Sequence, residues 1–158
     1  MVYYDPNDIP VRSNSDDVDA SWWNSFRDVL IYGSMKKYTK TYSDFSTAAT
    51  TNDLELLSLA AKRGPTLIAL KHSTAFSGGA VSALTLDVGV TGDLDRYIAL
   101  FDAFSATSST NAVLWSGFDI PDFSSTVSLR IRATSTGANL SALTAGSVDV
   151  WIGSLKLS

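Results

Sequence analysis

Few side chains in this sequence could do chemistry, and each has a structural use close at hand. His72 is the sole histidine and cysteine is absent. Neither a His-rich nor a Cys/His metal site can be built from that inventory, and thiolate chemistry is excluded. An imidazole can act as a base, but no G-x-S-x-G elbow offers it a nucleophile. His72 alternates with Lys71 near the end of a predicted strand, which suits a structural or surface role. Aspartates cluster twice: Asp93 and Asp95 follow Gly92, and Asn14, Asp16, Asp17 and Asp19 precede an apolar stretch. Closely spaced carboxylates could hold calcium, but neither run has the EF-hand spacing with its closing glutamate. An Asx turn and a helix cap account for them, so no metal and no cofactor are expected. A glycosidase needs two carboxyl groups across a cleft. The chain has one glutamate, Glu55, and no acidic pair stands out. Walker loops and dinucleotide fingerprints are absent. No catalytic residue is expected, and the chain reads as a non-enzyme.

Trp115 and Trp151 each sit beside a polar neighbour on a predicted strand, as a sugar platform or as core and interface packing. Lys36 and Lys37, with Lys40, form a basic spot. In a chain of net charge −4 that spot fits an acidic protein surface or a solvated edge better than nucleic acid. The negative balance also argues against phosphate-backbone binding. Hydrophobic residues at 45% against 18% charged exclude a disordered acidic tail. No apolar run approaches the ~20 residues that span a bilayer, and the start shows no signal-peptide pattern.

The elements that must position these residues fall into two parts, 1–34 and 35–158. Residues 1 to about 14, with Pro6 and Pro10, read as an extended arm. As a strap on a neighbouring subunit it would anchor through Tyr3, Tyr4, Ile9 and Val11. Residues from about 15 to 33 predict one α-helix. At ~100° per residue, Val18, Trp22, Trp23, Phe26, Val29 and Leu30 share an arc of roughly 140°, and Gly33 is placed to end it. That face covers one end of the β body or packs on a neighbour, with Trp22, Trp23 and Phe26 as contacts. From Met35 onward the period becomes two. Leu84, Leu86, Val88 and Val90 alternate with polar or small residues, as do Leu129, Ile131 and Ala133, and Val148, Val150 and Ile152. Strands are predicted at 37–44, 53–60, 66–75, 80–90, 97–104, 112–118, 125–134 and 147–157. Turns are expected at Gly64-Pro65, Ser77-Gly78-Gly79, Thr91-Gly92-Asp93, Ser108-Ser109-Thr110 and Gly137-Ala138-Asn139. The stretch 97–104 also fits a short helix. The fold class is all-β: an eight-stranded antiparallel jelly-roll sandwich with an N-terminal extended arm and one α-helix. An immunoglobulin-like sandwich is the alternative.

Three stretches carry a family resemblance. Residues 70–89, LKHSTAFSGGAVSALTLDVG, resemble a K-H-S/T-T-x-F-x-G-G turn feeding a strand in virion structural proteins of tailed bacteriophages. Residues 97–104, YIALFDAF, and 137–151, GANLSALTAGSVDVW, are similar to that family's aromatic segment and closing strand. The resemblance covers about 47–158 and implies a non-enzymatic jelly-roll protein of the capsid cement or decoration type. It further implies a homotrimer on the outer capsid surface, made in the host bacterial cytoplasm. Its partners would be itself and the phage major capsid protein, with no nucleic acid and no membrane. A tail or fibre module that binds host glycan is the alternative function.

Overall fold

The computed structural model describes residues 35–106, 112–117, 119–122 and 124–156. The expected arm and helix, with Tyr3, Tyr4, Ile9, Val11, Trp22, Trp23 and Phe26, lie outside the described residues.

Among the described residues period-two alternation yields eight strands: β1 Lys36–Thr41, β2 Thr51–Leu59, β3 Arg63–Ser77, β4 Ala83–Val90, β5 Asp93–Asp102, β6 Ala112–Ser116, β7 Val127–Thr136 and β8 Ala145–Lys156. They form two four-stranded sheets, ordered β1-β8-β3-β6 and β2-β7-β4-β5, in which every pairing is antiparallel. Strands 1 and 8, 2 and 7, 3 and 6, and 4 and 5 are thus partners. They are the rungs of one long hairpin rolled so that alternate rungs fall in opposite sheets. This is the jelly roll the alternation predicts, and the strand order rules out the immunoglobulin-like arrangement.

The core lies between the sheets. Leu84, Leu86, Val88 and Val90 of β4 face Ile68 and Leu70 of β3 and Val148, Val150 and Ile152 of β8, with Leu129, Ile131 and Ala133 of β7 beside them, all buried. A sandwich needs inward residues at every second position of both sheets, and these strands supply them.

Two local expectations change and one ambiguity is resolved. The predicted strand 37–44 ends at Thr41, and Tyr42–Phe45 form a short helix, α1. The Asp44 carboxylate accepts the Thr41 N–H at 2.7 Å and the Thr41 hydroxyl at 2.8 Å. A local bond of this kind competes with the ladder. Gly64-Pro65 is not a turn but lies inside β3, at a bulge between Pro65 and Leu67. Proline, which lacks a donor, is tolerated at such a bulge. The chain reverses earlier, where the Arg63 N–H bonds to the Ala60 carbonyl at 3.0 Å and Lys62 takes a φ of 60°. Of the stretch 97–104, predicted as a strand and also fitting a short helix, Tyr97 to Asp102 belong to β5.

Candidate functional site

His72 is fully buried on β3. The Phe101 ring of β5, in the facing sheet, meets it edge-on at 5.4 Å. Burial is the main cause holding its pKa below 6.5; the Asp102 carboxylate and a hydrogen bond with the Ala106 backbone partly oppose it. A neutral imidazole so enclosed is a core residue, one of the two roles its position allowed.

The carboxylates are likewise committed to structure. Asp53 of β2 accepts hydrogen bonds from Nε and Nη2 of Arg132 on β7, at 2.6 and 2.9 Å, and that guanidinium holds the carboxyl below the usual carboxylate range. The Asp119 carboxylate accepts two hydrogen bonds from Arg96, at 2.7 and 3.1 Å, and one from the Tyr97 hydroxyl at 2.9 Å. Burial, then the bond to Asp119, pushes the Tyr97 phenol upward. Asp93 lies 3.7 Å from Arg96, and Asp87 accepts the Leu100 N–H at 2.6 Å. A shallow depression of about 470 Å³ is bordered by Asp87, Asp93, Asp95, Leu100 and Arg132, and of its carboxylates Asp87 and Asp93 hold the partners just named. Among the described residues no three His, Cys, Asp or Glu side chains cluster as metal ligands. Asn14, Asp16, Asp17 and Asp19 lie outside the described residues.

The two tryptophans part company. Trp115 pairs in register with buried Ile68, so it faces inward. Its ring lies 4.8 Å from that of Tyr97, and it cannot serve as an open sugar platform. Trp151 points outward, half-buried, with Lys37 Nζ 5.3 Å over its ring. Lys37 also forms a 2.9 Å ion pair with Asp149, whose other oxygen accepts the Thr39 hydroxyl at 2.6 Å. Lys36 sits over the Tyr38 ring at 5.0 Å. Both lysines thus lie on β1, the edge strand, and Lys37 is braced by its own sheet.

Two of the stretches quoted for the resemblance meet at one end of the sandwich. The Thr144 N–H bonds to the Ser77 carbonyl at 2.9 Å. A Cβ on Gly146 would lie 2.3 Å from the Phe76 ring, and one on Gly78 2.4 Å from the Thr144 nitrogen. Phe76 packs edge-on against Phe45 at 6.0 Å, and both are fully buried. The glycines, at φ 128° and 143°, allow the two loops to touch through backbone. These two stretches therefore close one end of the jelly roll.

Sequence reasoning missed the outer face of the β1-β8-β3-β6 sheet. Register places Trp151 beside Ala69 and Ala69 beside Leu114. Leu114 is 61% exposed, and Leu155, which alternation brings to the same face, is 51% exposed. The signal was there: 112–115 is an unbroken apolar run on a strand too short for both faces to be buried.

No family model and no curated protein matches the chain. Among solved structures it is similar to a chain of the cyanophage Pam1 capsid asymmetric unit, at 16% identity and a TM-score of 0.51, over 78% of this chain and 84% of that one. A chain of the Ralstonia phage GP4 capsid aligns at 16% identity and a TM-score of 0.48, over 80% of this chain and 86% of that one. A chain of the acidic stable capsid of Helicobacter pylori bacteriophage KHP30 aligns at 10% identity and 0.37, over 78% and 98%. The Pam1 comparison shows a shared fold: the described body is built like a chain that stands in a phage capsid.

Proposed function

We propose that this chain is a structural protein of a bacteriophage virion. It acts as a cement or decoration protein, binding the major capsid protein across subunit junctions on the outer surface, and catalyses no reaction. The observation that carries the reading is the jelly roll it shares with a Pam1 capsid chain. The likeness spans 78% of this chain, and one end of the described body is closed by the stretches resembling tailed-phage virion proteins. The buried His72 and the paired carboxylates support a non-catalytic role. In this reading residues 35–158 are the body, and residues 1–34 the arm and helix that dock. A homotrimer made in the host cytoplasm fits a lattice protein, because weak contacts repeated at many sites add to firm attachment. The glycan-binding alternative keeps only Trp151, since Trp115 is turned into the core.

The test is binding of purified protein to heads lacking it. The full chain is expected to decorate them and raise their melting temperature, with a chain lacking residues 1–14 binding far more weakly though its β body stays folded. Wild-type occupancy by the truncated chain would refute the strap. No binding by the full chain, or loss of glycan-array binding on Trp151→Ala, would refute the capsid role.

A further inference from the structure

We propose that His72 is an acid-sensitive latch for the turn that follows β5. Neutral, it holds residues 104–106 against the sandwich; protonated, it lets that turn swing open while both sheets stay formed. The ring lies one residue beneath the surface. Its side chain is fully buried, yet it hydrogen-bonds to the backbone of Ala106, which is exposed. Phe104 is half-buried and Ser105 exposed, so lifting the three uncovers little of the core. The hinge is fixed. Ala103 is fully buried, its N–H bonds to the Leu84 carbonyl at 3.0 Å, and its carbonyl accepts the Phe76 N–H at 2.9 Å. Past Ala103 the Asp102 carboxylate folds the turn on itself, accepting the Phe104 and Ser105 N–H groups at 2.9 and 3.1 Å, and His72 ties it to β3. The ladder beside the ring already gives way, since β3 and β8 lose register between His72 and Thr74.

An imidazolium in this place needs a close partner or water. β4 turns the apolar Leu84, Leu86 and Val88 into the core, and β8 sets Val148 beside the ring. Beyond Val150 and Val148, β1 brings Tyr38 and Lys40 to the same side of the sheet, a phenol and a like charge. On β3 itself Lys71 pairs with Asp149 on the opposite face. From β5 comes Asp102, an exposed carboxylate with one oxygen already engaged by the turn. The Phe104 N–H holds that carboxyl below 3.8, so it stays ionised in mild acid. Asp102 and the Ala106 bond favour the cation, but burial outweighs both. Water reaches the ring at least cost by lifting Ala106. Asp102 is then drawn toward the new charge and away from the Phe104 and Ser105 N–H groups. The open form binds the proton more readily than the closed one, so acid favours opening. Openings of this kind are local and cost less than unfolding.

Amide exchange of the full chain followed by NMR, each rate divided by its intrinsic value at that pH, tests this. From pH 7 to 5, protection at Phe104 and Ser105 is expected to fall about 10-fold, beginning near the ordinary imidazole pKa of about 6.5. Low urea should leave these two rates unmoved, because a local opening exposes little surface. Amides of β7, central in its sheet, should exchange far more slowly at both pH values and accelerate with urea. His72→Gln, which keeps a donor for Ala106 and does not titrate, should remove the pH dependence at Phe104 and Ser105. Equal protection at pH 7 and 5 would overturn the latch. So would a urea dependence at Phe104 and Ser105 matching that of β7, which marks global unfolding, or the same loss in a folded His72→Gln chain. Should that variant not fold, the pH and urea series on the wild-type chain decide alone.

Discussion

At the scale of single residues, His72 and the closing glycines show how little freedom the interior has. His72 is the chain's only histidine, so between the carboxylate and amino ranges it governs the pH dependence of stability. Burial lowers its folded pKa below 6.5, so the unfolded chain binds the proton more readily. Its contribution to stability is complete above pH 6.5 and is lost as pH falls through the lower folded value. The melting temperature should be flat from about pH 8 to 7 and decline between about 6.5 and 5. His72→Gln should abolish that slope while lowering the plateau, and a slope that persists in the variant would refute the assignment. The lowered carboxyls of Asp53, Asp102 and Asp119 act later, their stabilisation disappearing as pH falls below 3.8. Gly146 is a sharper case. Its φ of 128° and the Phe76 ring, 2.3 Å from where a Cβ would stand, leave no room, so Gly146→Ala should cost about 2–4 kcal/mol in denaturant unfolding. Gly92 has nothing within 4 Å of such a Cβ, so Gly92→Ala meets only the backbone strain of φ 94° and should cost about 1 kcal/mol.

Among the elements, what was legible in the sequence was what period two encodes. Each of the eight predicted strands has a counterpart, because inward positions such as Leu84, Leu86 and Val88 must be apolar wherever a sheet has one buried face. The ends were not legible, because they depend on partners far along the chain. Gly64-Pro65 reads as a turn locally, but Gly64 gives room to the Asp119 carbonyl, which would stand 1.6 Å from a Cβ there. β5 was ambiguous because its alternation breaks. Tyr97 and Ile98 are both buried, and Leu100, at φ 53°, absorbs an extra residue between the pairs Leu86–Phe101 and Val88–Ile98. A bulge erases the pattern that identifies a strand. The candidate site was half legible: Lys36 and Lys37 drew notice by charge, whereas the row Trp151, Ala69, Leu114 comes from three strands and exists only once the register is set. The end closure tests the element scale. Phe76→Ala removes a ring packed on Phe45 and Gly146 and should cost about 3–5 kcal/mol. Hydrogen exchange should rise at the ends of β3 and β8 before it rises at β4 and β7. A uniform rise would mean that the closure is not a separable unit.

For the whole molecule the governing feature is the division of charge. Residues 1–34 carry the entire net −4, so residues 35–158 sum to zero while one sheet remains basic and the other acidic. Proteins near zero net charge lose colloidal repulsion, and an exposed apolar face then meets other copies unopposed. The body alone should therefore melt in one cooperative transition, since its core is complete among its own strands, and yet scatter light increasingly at neutral pH. Leu114→Asp in the same truncated body should restore a monodisperse solution, because it adds charge and interrupts the apolar row at once. Added salt, which screens charges beyond ~10 Å, should leave the truncated body no more soluble. A truncated body that stays clear and monomeric without the substitution would show that the face needs no cover. The segment's acidity would then serve the solubility of the chain alone.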